Sequence, residues 1–174
     1  MGKDHYSAAA KDLSRAELLY NADEFKRAFK SFNAAGNKYL KVGEYKAAED
    51  CFFNAYKSLT KMGKHDLRSI LGTLRDAGDA ALIIDQFSDA NHYFKKALNH
   101  ISDVKKSANR DLFYTIFSTL SYLCLFTEGK QDEGLALLKQ VKKNIDDTYF
   151  KENKLISLVK NLTIAIRDKN KKYL

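Results

Sequence analysis

A reaction centre needs polar side chains that converge, and in this chain the residues that could supply one are its histidines, cysteines and paired carboxylates. His5, His65, His92 and His100 are scattered along the sequence. Of these, His92 and His100 share a helical face, but they stand eight residues apart, whereas a metal pair on a helix favours i and i+4. Asp76 with Asp79 and Asp146 with Asp147 are acid pairs lacking a second convergent set, which suits caps and solvated faces better than proton transfer. Cys51 and Cys124 lie within apolar helical stripes and read as reduced core thiols. The sequence contains no phosphate-cradling GxxxxGKS/T, no GxGxxG, no HExxH and no nucleophile elbow. The expectation is a protein without catalytic residues, metal or cofactor, so that function must lie in the shape of a surface.

The elements that would build such a surface are clearest between Phe32 and Leu59. Phe32, Ala35, Gly36 and Tyr39 fall at i, i+3, i+4 and i+7, one face of a helix. After Gly43, the residues Tyr45, Ala48, Phe52, Ala55, Tyr56 and Leu59 form a second such face. Gly36 and Ala48 are small where two helix axes must approach to about 8–10 Å, and Phe32 and Phe52 are large beside them. Adding 42 carries Ala35, Gly36, Tyr45, Ala48, Phe52 and Ala55 onto Ala77, Gly78, Phe87, Ala90, Phe94 and Ala97, with each size class kept. An isolated helical hairpin cannot bury its apolar stripe, so duplication is the expected remedy.

Phe32-x-x-Ala35-Gly36-x-x-Tyr39 followed by Ala48-x-x-x-Phe52 resembles the tetratricopeptide repeat, and the segment from Leu74 to Leu98 is similar. The usual unit is about 34 residues, whereas the spacing here is 42 and the chain has no proline. Long helix pairs of this texture resemble the soluble NSF-attachment proteins (SNAPs), and Asn21 to Ala28 running into Phe32 is similar to the start of that array. The resemblance implies an all-α fold, a right-handed superhelix of about eight antiparallel helices. It also implies a non-enzymatic adaptor or scaffold that binds a helical or extended segment of another protein, in the manner of vesicle-fusion or complex assembly.

Read in order, periodicity predicts one domain over 1–174 with helices at 3–20, 24–41, 44–61, from Asp66 onward, 87–102, 110–127 and 131–145, and a capping helix at 149–170. Hairpins are centred on 24–61, 66–102 and 110–145. Asp23 and Asp66 are the expected N-caps, and Gly43, Gly63, Asp85 and Gly129 mark turns. Adding 44 to Ala90, Phe94 and Ala97 gives Gly134, Leu138 and Val141, a third hairpin with altered residues. No segment alternates with period two.

The outward positions of the first helix in each pair, Asn33, Asn37, Arg75 and Asp79, are the candidate partner-binding residues. The resemblance to SNAPs implies in addition a basic flank that holds acidic helical bundles, with Lys26, Arg27, Lys30, Lys38, Lys41 and Lys46 as its candidates. Acidic Asp76 and Asp79 argue against a clamp for a terminal carboxylate. The net charge of +8 is concentrated between Lys139 and Leu174, which hold ten Lys or Arg against four acids. Binding of that basic segment to nucleic acid or anionic membrane is therefore the alternative function. The absence of an apolar run long enough to span a bilayer and of a leader predicts a cytoplasmic protein.

Overall fold

A computed structural model describes residues 2–63, 66–105 and 107–144. They form seven helices: α1 (Gly2–Asn21), α2 (Phe25–Lys41), α3 (Tyr45–Lys61), α4 (Leu67–Ile83), α5 (Phe87–Ser102), α6 (Ala108–Thr127) and α7 (Gln131–Asn144). Among the described residues there is no strand. The capping helix expected at 149–170 lies outside the described residues.

Four of the turns are the same object. Asp23, Gly43, Asp85 and Gly129 each adopt a left-handed φ, between +57° and +80°. The residue after each returns its N–H to a carbonyl five positions back: Glu24 to Leu19, Glu44 to Tyr39, Gln86 to Ala81 and Lys130 to Leu125, at 2.8–3.0 Å. These are Schellman ends, which satisfy orphan carbonyls and start the next helix at once. Asp23 is therefore the left-handed turn residue rather than the N-cap expected from sequence; Glu24 caps α2 and makes no side-chain cap bond. Aspartate tolerates that region better than most side chains, so the turn forms without glycine. Asp66 does cap α4, its carboxylate accepting from the Ser69 amide at 3.2 Å, and Ser107 caps α6 by accepting from Arg110.

Each helix packs chiefly on its neighbours in the chain. The closest approaches are set by glycine. A Cβ placed on Gly36 would lie 2.8 Å from the Phe52 ring, and one on Gly78 would lie 2.4 Å from the Phe94 ring. Real Cβ atoms do not come that near, so only glycine lets the ring in. Phe52 and Phe94 are fully buried, and Ala35, Ala48, Ala55, Ala77, Ala90 and Ala97 beside them are equally inaccessible. Phe32 and Tyr39 are buried as well.

The third hairpin keeps the close approach by exchanging sizes. Where the 44-residue offset from Gly78 leads, α6 carries Tyr122, and where Ala90 leads, α7 carries Gly134, whose added Cβ would meet the Tyr122 ring at 2.8 Å. The aromatic and the glycine have changed helices. Leu138 at the Phe94 position is only half-buried, since the space a phenyl ring would fill is taken from the other side.

Gly78→Ala should lower stability by about 1–3 kcal/mol despite alanine's better helix propensity, because the Phe94 ring cannot withdraw within a close-packed core. Phe94→Leu in the same chain should return part of that loss. Urea unfolding measures both, and a Gly78→Ala protein as stable as wild type would contradict the close approach.

Candidate functional site

The residues expected to bind a partner sit on α2 and α4. Lys26, Lys30 and Asn37 are exposed on α2, and Asn33 is half-buried there, with the Asn37 amide donating to the Asn33 carbonyl at 2.9 Å. Arg75 and Asp79 are exposed on α4, where the Arg75 guanidinium contacts Asp76 at 2.9 Å and Asp79 at 3.8 Å. Burial pushes the Asp79 carboxyl above its ordinary range, Arg75 draws it back, and Asp76 reinforces the rise. Among the described residues no hydrogen bond or ion pair joins the α2 group to the α4 group. They are instead equivalent in register, since 42 residues separate Asn33 from Arg75 and Asn37 from Asp79.

The basic flank divides. Lys38 binds Asp12 of α1 at 2.7 Å, the exposed Arg27 binds Glu24, and the exposed Lys46 reaches buried Glu49 at 3.0 Å, which leaves Lys26, Lys30 and Lys41 as the exposed members without an ion pair among the described residues. Lys26 and Arg27 border an open depression with Asp23, Glu24, Phe25 and Met62. The basic segment from Lys139 onward lies mostly outside the described residues.

Sequence reasoning missed the strongest polar feature, a seam between α3 and α5. Glu49 is completely buried, yet its carboxylate is satisfied: the Tyr93 hydroxyl donates at 2.7 Å, and the Lys46 ammonium donates to both oxygens at 3.0 Å. With its amide nitrogen facing the carboxylates, Gln86 donates to Glu49 at 3.1 Å and to Asp89 at 3.2 Å. A buried carboxylate persists only with such a shell. Burial alone would lower the Lys46 ammonium; its bond to Glu49 and the charges of Asp50, Glu49 and Asp89 outweigh that and raise it. Burial, then the Glu49 bond, pushes the Tyr93 phenol well above the usual range, so it stays a donor.

Further along the seam, Tyr56 and His100 make a hydrogen bond of 3.0 Å between hydroxyl and Nε2. Phe53 lies 5.0 Å from the Tyr93 ring, 5.7 Å from Tyr56 and 6.3 Å from His92. Glu49 with Tyr93 and Tyr56 with His100 are both separated by 44 residues. A constant offset means that α3 and α5 run parallel, side by side, while α4 packs against both. At the position 42 residues beyond Glu49, Asn91 is also buried and accepts from the Ser121 hydroxyl of α6. The 42-residue offset did not signal this seam, whose pairs lie 44 apart, and Glu49 beside Ala48 reads as a solvated acid until Tyr93 is placed against it.

Chemistry is sparse elsewhere. Cys51 and Cys124 are buried free thiols, and burial raises them to about 12 and about 11, far from reactive thiolates. His92 is lowered, first by burial and then by Lys96, with Asp89 opposing. Among the described residues no three His, Cys, Asp or Glu side chains cluster as a metal site would. No helix among them is long and apolar enough to cross a membrane. No family model matches the chain, and neither does any curated protein.

Tyr93→Phe removes a bond to a buried carboxylate and should lower stability by about 1.5–3 kcal/mol. Lys46→Gln should be milder because the ammonium is half in solvent, though more costly than a bystander lysine would be. In a double-mutant cycle with Glu49→Gln, coupling to Tyr93→Phe should be about 1 kcal/mol or more, and additive losses in urea unfolding would contradict the seam.

Proposed function

We propose that the chain is a non-enzymatic protein–protein interaction module, an adaptor or scaffold, built as a tetratricopeptide-like right-handed superhelix of about eight antiparallel helices and acting in the cytoplasm. A SNAP-like part in complex assembly, including vesicle fusion, falls within this class. One observation carries the reading. Glu49 and Tyr56 of α3 bond to Tyr93 and His100 of α5, whereas Lys26, Lys30, Asn37, Arg75 and Asp79 on α2 and α4 are exposed and make no hydrogen bond or ion pair beyond their own helix among the described residues. A rigid base with polar side chains repeated at equal register is how a helical stack presents a surface to a helical or extended peptide.

The reading is tested with a random peptide display library selected on the full chain. Selected peptides should bind the Lys30→Glu/Asp79→Lys protein at least about tenfold more weakly, and the Lys57→Gln protein as well as wild type. Failure to select any peptide, or equal loss with both proteins, would contradict it.

A further inference from the structure

The α3–α5 seam ends in an outward surface unlike the rest of the molecule. Phe53 and Tyr56 are half-exposed with their rings stacked, 16° from parallel, and the exposed His92 ring meets Phe53 edge-on. Two ammonium groups lie near the one phenyl ring, Lys57 at 4.7 Å and Lys96 at 6.0 Å from its centroid. Among the described residues neither lysine has a carboxylate partner; Lys57 donates to the Asn54 side-chain carbonyl at 3.2 Å. At the N-terminal end of the seam the charges are paired, with Asp50 at 3.5 Å and Asp89 at 4.0 Å from Lys46 and Glu49 beneath. Lys57 and Lys96 have no such ion pair among the described residues.

Two like charges held over one ring repel each other, and an anion between them relieves the repulsion. Protein–protein interface cores favour aromatic side chains but are poor in lysine, whereas surfaces for single strands combine rings, on which bases stack, with lysines that meet phosphates. The overall charge of +8 draws a polyanion toward the chain before any local contact forms. We propose that the Phe53, Tyr56 and His92 face of α3 and α5 binds single-stranded nucleic acid, with bases on the rings and phosphates at Lys57 and Lys96. The site uses the opposite helices from the α2/α4 surface and stands or falls separately from it. It also differs from binding through Lys139–Leu174, because its rings and cations are interleaved.

The experiment is fluorescence anisotropy of a fluorescein-labelled oligouridine 12-mer titrated with the full chain. If two to four phosphates are neutralised, affinity should fall roughly 7- to 50-fold between 50 and 200 mM salt. Lys57→Gln/Lys96→Gln should weaken binding about tenfold or more and flatten the salt slope by about 1.4. His92→Ala should weaken it about fivefold or more, while Lys26→Gln/Lys30→Gln on α2 should leave it unchanged. Thermal unfolding of each variant shows that it remains folded. The proposal is overturned by no binding at 50 mM salt, by a duplex of the same length binding as tightly, or by the two lysine pairs having equal effects.

Discussion

The constraint on which the rest depends is contact between a phenyl ring and a bare backbone. Phe52 and Phe94 occupy space that any Cβ on Gly36 or Gly78 would enter. This contact holds α2 to α3 and α4 to α5 closely enough that Ala48 and Ala90 are fully buried between them. Because each ring fills a site defined by backbone, the rotation of one helix on the other has little freedom within each pair, and α4 packed on both α3 and α5 then brings side chains 44 residues apart into register. The Glu49 shell and the Tyr56–His100 bond are consequences of that register. They would not form if either hairpin were twisted or slid by a residue.

Much of this was legible before any coordinates. Helix limits fell within a few residues of the periodic reading, because glycine or aspartate marks each left-handed turn and Asp66 and Ser107 start helices by ordinary capping. Glycine beside phenylalanine at one offset pointed to close approach, and the offset of 42 aligned Asn33 and Asn37 with Arg75 and Asp79. Asp23 misled because aspartate serves equally as an N-cap and as a left-handed residue, and only the hydrogen bond from Glu24 to Leu19 decides between them. Glu49 was hidden for another reason: a charged residue three from Lys46 on a helix looks solvated, and its burial depends on Tyr93 and Gln86 from a distant segment. The contact of Gly134 with the Tyr122 ring was likewise hidden, since at this offset the ring stands on the first helix and the glycine on the second.

α3 and α5 join through buried polar atoms and rings, which specify one arrangement more sharply than aliphatic contact alone. α2 and α4 leave their lysines, amides and the Arg75–Asp79 pair toward solvent. Cys51 and Cys124 are buried free thiols and lie on neither face.

The most direct measurement is a set of nuclear Overhauser contacts from the folded chain in solution. Gly36 Hα should show contacts to the Phe52 ring, Gly78 Hα to the Phe94 ring, and Tyr56 to His100 across the paired helices. Absence of both glycine contacts in a folded sample would contradict the ring-on-backbone constraint and the register derived from it.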